Sequence, residues 1–230
     1  MPSKKPNKYS GENIINALKT LGFGRGDIVY FSTGFGFLGR AEGVENPDDL
    51  NKLFFDCIRE VLGSEGTILI PTYSYTFGRS LASELAIFDP LETKSETGPF
   101  PEFFRQQEGV SRSLDPMVSI SGIGPEFINL IKDLPPTSYG ANCIFDRLTE
   151  KNAKICNIGL GSNWVPFLHH ADWLAQVSYR HEKLFFGKIL DGTKLYEQPW
   201  VYAVPISRSL SMSHGHQLGA LAEEAGIWTW

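Results

Sequence analysis

Three stretches of this sequence carry side chains that could do chemistry. In SLDPMVS, residues 113–119, Asp115 stands directly before a proline among small and apolar residues. Proline pushes the residue before it towards extended backbone. The carboxylate either caps its own turn or is presented to a site. In FLHHADW, residues 167–173, His169 and Asp172 lie three apart and would share one face of a helix, with His170 and Trp173 on another. A carboxylate beside an imidazole fixes its tautomer and raises its basicity, which makes a usable acid–base pair. Asp115, His169 and Asp172 could instead bind a divalent ion in a metal-dependent hydrolase, but no HExxH or tight ligand cluster accompanies them. The third stretch is FSTGFGFLGRAEG, residues 31–43, where glycines let backbone amides face outward from a strand end and hold a phosphate or a thioester carbonyl. No GK[ST] follows, and the GxGxxG in GFGFLG runs into a loop instead of a helix, so neither a Walker loop nor a dinucleotide fingerprint is present. A plain turn competes with ligand binding there.

These residues need elements to position them. Ser10–Gly22 reads as a helix with Ser10 as N-cap and a stripe of Ile14, Ile15, Leu18 and Leu21. RGDIVYFST follows as a short strand. Asn46–Leu62 is a second helix, with Pro47 in its first turn and Leu50, Leu53, Phe54, Ile58 and Val61 on one face. TILIPTYSY is a second strand. The first 75 residues thus alternate α-β-α-β, which places helices over a sheet, with a right-handed crossover if the strands are parallel. Residues 76–110 are irregular apart from a short helix at PEFFRQQEG, and a loop of that length is functional or flexible. Then come a strand (MVSISGIG), two helices (PEFINLIKDL and NCIFDRLTEKN) and a strand (AKICNIGLG). From Arg180 onward the chain reads as β, with strands at KLFFGKIL and KLYEQPWVYAVPI separated by an LDGTK turn. Phe35, Phe37, Tyr73, Tyr75, Phe77 and Trp164 read as core and pocket wall, with faces able to stack on a ring. His181, His214 and His216 carry no pattern and read as solvated surface residues.

Bulk composition narrows the classes. The 230 residues suit one domain, and 42% hydrophobic with 13% aromatic residues supplies a core, which excludes global disorder. A net charge of -5 argues against a nucleic-acid or membrane-surface binder. Cys57, Cys143 and Cys156 are odd in number without a CxxC pair, and read as reduced packing thiols of a cytoplasmic protein. MPSKKPNKYSGENI lacks the apolar segment of a secretory signal, and no apolar run approaches the ~20 residues of a membrane span.

The ordered set of segments is more telling than any one of them. GDIVYFST, GSEGTILIPTYSY, FDP at 88–90, TKSETGPFPEFFR, RSLDPMVSISGIGP and NIGLGSNWVPFLHHAD follow one another from about Asp27 to Arg180. In this order they resemble the aminoglycoside 3-N-acetyltransferase family, also called the antibiotic N-acetyltransferase family. The resemblance implies an α/β fold, a sheet flanked by helices, distinct from the GNAT acetyltransferases. It implies transfer of acetyl from acetyl-CoA to an amino group of an amino sugar, either an aminodeoxysugar or an aminoglycoside. It places Ser32, Thr33, Gly34 and the loop after them on the coenzyme A side, Tyr73 and Ser74 in the same cleft, and Arg112 and Ser113 beside the cofactor. His169 and Asp172 match the family's His-x-x-Glu, with Asp for Glu.

Asp115 departs from the family, whose antibiotic-modifying members have a histidine there, in RS-x-His-Pro, as the presumed base. The base is then Asp115, if burial raises a carboxylate that otherwise titrates at ~3.9, or His169. Glu96 also stands where those members tend to be basic. The chain is read as a single domain over 1–230 whose end, GIWTW, falls short of the strand or two expected of a family member. Coenzyme A and an amino sugar are the expected partners, and a homodimer the working oligomer. A catalytically inert homologue that keeps the cleft is the alternative, allowed by the change from His to Asp.

Overall fold

A computed structural model describes residues 8–161, 164–207 and 215–228, with the side chains of residues 215 and 216 outside the description. Helix α1 (Gly11–Thr20) is capped by Ser10, whose hydroxyl accepts from the Asn13 amide while the Asn13 side chain returns to the Ser10 amide. Strand β1 (Ile28–Thr33) leads to a 3-10 turn over Phe35–Leu38. Helix α2 (Pro47–Leu62) begins with Asn46 capping the Asp48 and Asp49 amides and proline at its first position, then β2 (Thr67–Pro71) follows. The irregular stretch holds a 3-10 turn (Thr76–Arg79), a two-residue strand β3 (Ile87–Phe88) and α3 (Pro99–Arg105). Next come β4 (Ser111–Arg112), β5 (Ile120–Ile123), α4 (Phe127–Ile131), α5 (Ile144–Glu150), β6 (Lys154–Ile158) and α6 (Phe167–Leu174). The chain continues through β7 (Arg180–Asp191), β8 (Lys194–Pro205) and α7 (Gly215–Glu224).

The main sheet runs β4-β5-β2-β1-β6, with β1 parallel to both β2 and β6, and β5 antiparallel to β2 and β4. Side chains alternate across a strand, so its two faces feed two cores. Tyr30 and Leu69 point into one with Phe127, Phe145 and Leu148. Val29, Phe31, Ile68 and Ile70 point into the other with Ile14, Phe54, Ile58 and Phe104. Each such fully buried apolar side chain contributes about 1.5–3 kcal/mol.

A second sheet, β3-β7-β8, packs beside the first core. Its hairpin turns at Gly192, φ 60°, the conformation that a two-residue turn asks of glycine at its first position. The tail is therefore not all β. Residues 215–224 form a helix, where apolar spacing at Leu218, Leu221 and Ala222 competes with the low propensity of two glycines. His214 and the end of GIWTW lie outside the described residues, as do the first seven residues, while His181 is exposed. Among the described residues no helix is long and apolar enough to cross a membrane.

Candidate active site

The parallel strands β1 and β6 end together, with Ser32 opposite Asn157 and Thr33 opposite Ile158. Ligands of α/β sheets bind beyond such carboxyl ends, and a cleft of about 1100 Å³ opens there. Ser32, Thr33 and Gly34 form one wall, residues 96–99 another, and α6 a third. At Gly34 an added Cβ would lie 2.5 Å from the end of the Leu160 side chain, which can shift, whereas at Gly159, φ 70°, it would lie 2.4 Å from the Gly34 carbonyl, so glycine is required there. The two strand-end loops therefore pack backbone against backbone. The Gly34 amide donates to the Ile158 carbonyl at 2.8 Å, so it is not available to a ligand. The hydroxyls of Ser32 and Thr33 are buried at the cleft floor and have no hydrogen-bond partner among the described residues. Unsatisfied buried hydroxyls are uncommon and call for a partner.

His169 and Asp172 share the cleft face of α6, as their spacing requires. Their separation, Nδ1 to Oδ2, is 3.7 Å, longer than a hydrogen bond. Contacts within an acid–base pair often tighten only with a ligand in place. Asp172 is fixed independently, accepting from the Tyr179 hydroxyl at 2.6 Å and from Arg180 Nε at 2.8 Å. Burial, reinforced by Arg180 and opposed by Asp172, holds the His169 pKa below 6.5, which leaves the imidazole neutral and able to take a proton at neutral pH. Its ring meets the Tyr139 ring edge-on, with centroids 5.5 Å apart. His170 faces the interior instead, stacked on Trp173 and 3.7 Å from the Cys143 sulfur.

Of the two readings its sequence context allows, Asp115 takes the first and caps its own turn. It is 5% exposed and is absent from the cleft wall. Its Oδ1 accepts from the amides of Met117 at 2.7 Å and Val118 at 2.9 Å, an Asx turn closed by its own carboxylate. Burial raises its pKa to about 6, against the pull of those amides, Ser138 and Arg112. The turn has a second task. The Pro116 carbonyl accepts from Thr76, and the Met117 carbonyl accepts from Ser74 and Tyr75. These bonds hold Tyr75 in the left-handed region, φ 49°, with its ring on the cleft wall. A bulky residue adopts that conformation only when its surroundings impose it.

Ser74, Arg112 and Ser113 also lie behind the wall. The Ser74 hydroxyl bonds Thr76. Arg112 lies over Phe88 and donates to Ser119 and to the carbonyls of Thr72 and Thr93, while Ser113 Oγ accepts from the Ile120 amide. None of the three lines the cleft. They tie β4, β5 and the loop before α3 together. Ser32, Thr33, Gly34, Tyr73, His169 and Asp172 remain on the wall.

Residues that the sequence did not single out complete it. Tyr139, Tyr179, Arg180 and Tyr202 face the cleft. They are brought there by tertiary packing of the 138–139 turn and the hairpin, and no local spacing marks them. Tyr75, Phe37 and Trp164 do line it, whereas Phe35 and Phe77 are core. The ion-binding reading needs Asp115, His169 and Asp172 to converge, and among the described residues no three His, Cys, Asp or Glu side chains gather in that way. The three cysteines are free and buried, with burial pushing the Cys156 thiol up to about 12.

A family model described as aminoglycoside 3-N-acetyltransferase matches residues 40–223. Aminoglycoside N(3)-acetyltransferase IX of Micromonospora chalcea is 24% identical over 201 residues, spanning 80% of this chain and 69% of that protein. The crystal structure of aminoglycoside acetyltransferase AAC(3)-Xa superposes with a TM-score of 0.81 at 21% identity, over 96% of this chain and 83% of that one. AAC-IIIb in binary complex with CoASH gives 0.79 at 21% identity, over 96% and 85%. These likenesses to solved structures establish the shared α/β fold.

Proposed function

Since the chain belongs to the aminoglycoside 3-N-acetyltransferase family, we propose that its cleft transfers acetyl from acetyl-CoA to the amine of an amino sugar, with His169 as the base. The supporting observation is a neutral imidazole on α6 that shares one cleft with two unpartnered hydroxyls at the end of β1. The relative AAC-IIIb holds coenzyme A, and the volume of this cleft accommodates a pantetheine arm together with a sugar ring. The thioester end lies over the end of β1, where the Ser32 hydroxyl, on the strand face that Tyr30 shares and that meets α6 at Phe167, donates to the oxygen that becomes negative as the amine attacks. The sugar nitrogen forms a bond to the acetyl carbon, and the bond from that carbon to sulfur breaks. His169 takes the proton lost by nitrogen and returns it to the departing sulfur. Asp172, pinned by Tyr179 and Arg180, sets the imidazole's orientation and stabilises its charged form.

Asp115 has no contact with the cleft in this scheme, and its part is to hold the backbone that carries Tyr75. The test is calorimetric titration with acetyl-CoA, followed by coenzyme A release with a panel of amino sugars. The wild-type protein is expected to bind and to release thiol. His169→Ala is expected to bind equally and to lose about 10²–10⁴-fold in turnover. Absence of acetyl-CoA binding contradicts the proposal.

A further inference from the structure

Given the acetyltransferase reading above, the end of β1 leaves the reaction short of a donor. A carbonyl oxygen that turns negative is held best by more than one preorganised donor, and Ser32 is only the first. The amide that a strand end would add, that of Gly34, is committed to the Ile158 carbonyl at 2.8 Å. A second hydroxyl lies on the sheet face that carries Ser32. Residues two apart along a strand share a face, and Tyr30, two before Ser32, meets the Tyr73 hydroxyl with its own at 2.8 Å. Tyr73 follows β2 and stands four residues beyond Leu69, the register partner of Tyr30. Its side chain therefore leans back past the level of Ser32, and Tyr73 lines the cleft.

The direction of the Tyr30–Tyr73 hydrogen bond follows from what surrounds each end. Tyr30 is fully buried, its ring edge-on to Phe167 and tilted against Phe145. Among the described residues Tyr73 is the one side chain that bonds its hydroxyl. A hydroxyl has one proton to give and two lone pairs to receive with. If Tyr73 donated, the Tyr30 proton would be stranded in an apolar core, and a stranded donor costs more than an unused lone pair. Tyr30 therefore donates, the Tyr73 oxygen accepts, and the Tyr73 proton is left for a ligand in the cleft. We infer that Tyr73 is a catalytic residue, the donor that joins Ser32 on the thioester oxygen, and that buried Tyr30 is the positioning residue that aims its proton. That proton is shared and not transferred. The oxygen gains its charge as the nitrogen bonds to the acetyl carbon, and gives it up as the bond from that carbon to sulfur breaks.

The experiment compares the wild type with Tyr73→Phe, Tyr30→Phe and the double variant. Coenzyme A release is followed with acetyl-CoA and an accepted amino sugar, acetyl-CoA binding by calorimetry, and stability by thermal unfolding. Tyr73→Phe keeps the ring, and is expected to lower kcat about a hundredfold while the acceptor's KM and the Kd of acetyl-CoA stay within about threefold. It should also lower the melting temperature, because the Tyr30 hydroxyl loses its partner. Tyr30→Phe leaves the Tyr73 hydroxyl in place but no longer aimed, and is expected to lower kcat by less than about tenfold. The double variant removes both polar groups together, which is close to neutral for stability. Its melting temperature is expected to return towards the wild-type value while kcat stays about a hundredfold down. A merely structural pair would instead recover kcat along with stability. That recovery, a kcat for Tyr73→Phe within about threefold of wild type, or a loss seen only in the acceptor's KM overturns the inference and leaves acetyl transfer intact. Absence of thiol release from the wild type with every amine of the panel overturns the acetyltransferase reading, and this assignment with it.

Discussion

A charged residue before a proline can serve a site or serve its own backbone, and at Asp115 the two differ in what Asn would preserve. Asn keeps an Oδ1 for the Met117 and Val118 amides but gives no base. Asp115→Asn is therefore expected to retain activity within about threefold, whereas Asp115→Ala, which opens the turn under Tyr75, is expected to lose about 1–3 kcal/mol of stability and raise KM for the acceptor. Urea unfolding and steady-state kinetics check both. The carboxyl also has a pH signature. Its pKa is raised from 3.8 to about 6, so between those values the folded chain holds a proton that the unfolded chain has released. Stability falls as pH rises through that window, by about 3 kcal/mol from this one group, and stays low above it. Asp115→Asn removes that loss, so its unfolding free energy relative to wild type should be more favourable at pH 7.5 than at pH 4.5. An equal difference at both would show that the charge is not buried as described.

At the level of elements, the periodic segments were legible because burial on one face writes itself into local spacing. The Ile14–Leu18 stripe, the Leu50–Val61 face and the apolar runs of β1 and β2 gave helices and strands where the structure has them. The spacing of His169 and Asp172 gave their common face. Three features were not legible. The Arg180 and Tyr179 contacts to Asp172 join α6 to the start of the hairpin, and pairings across elements leave no periodic trace. Tyr75's left-handed backbone is imposed by carbonyls some forty residues later in the chain. The helix at 215–224 is hidden by the apolar residues that alternate with turns just before it, which carry the β pattern onward. The glycine-rich loop was ambiguous between turn and ligand site, and what settles its geometry is the close approach of Gly34 and Gly159. Gly159→Ala combines a φ of 70° with a Cβ at 2.4 Å from backbone. It is expected to cost about 2–4 kcal/mol in urea unfolding and to weaken acetyl-CoA binding by displacing the β1 end. Wild-type stability would mean that the two loops do not meet.

For the whole molecule, elements of both sheets and of the helices beside them meet at one cleft, and the groups that face it come from β1, the 96–99 loop, α6 and the hairpin. A ligand that spans them should stabilise all of them together. At a hundredfold excess over its Kd, acetyl-CoA is expected to add about 2.7 kcal/mol to unfolding, read as a rise in melting temperature. The most direct test of the division of labour between His169 and Asp115 is the pH dependence of kcat/KM for coenzyme A release. It is followed for the wild type, His169→Ala and Asp115→Asn with one accepted amine. With His169 as the proposed base, its pKa, held below 6.5 by burial, adds a limb of its own on the acid side of the amine's titration, so the wild-type rate is expected to rise with pH through that limb and to level once the amine is neutral. Asp115→Asn should keep that limb and nearly the full plateau. His169→Ala should lose the limb and at least about a hundredfold in plateau rate. The reverse pattern, with the limb and the rate lost in Asp115→Asn and kept in His169→Ala, would contradict His169 as the base and return that role to the buried carboxylate.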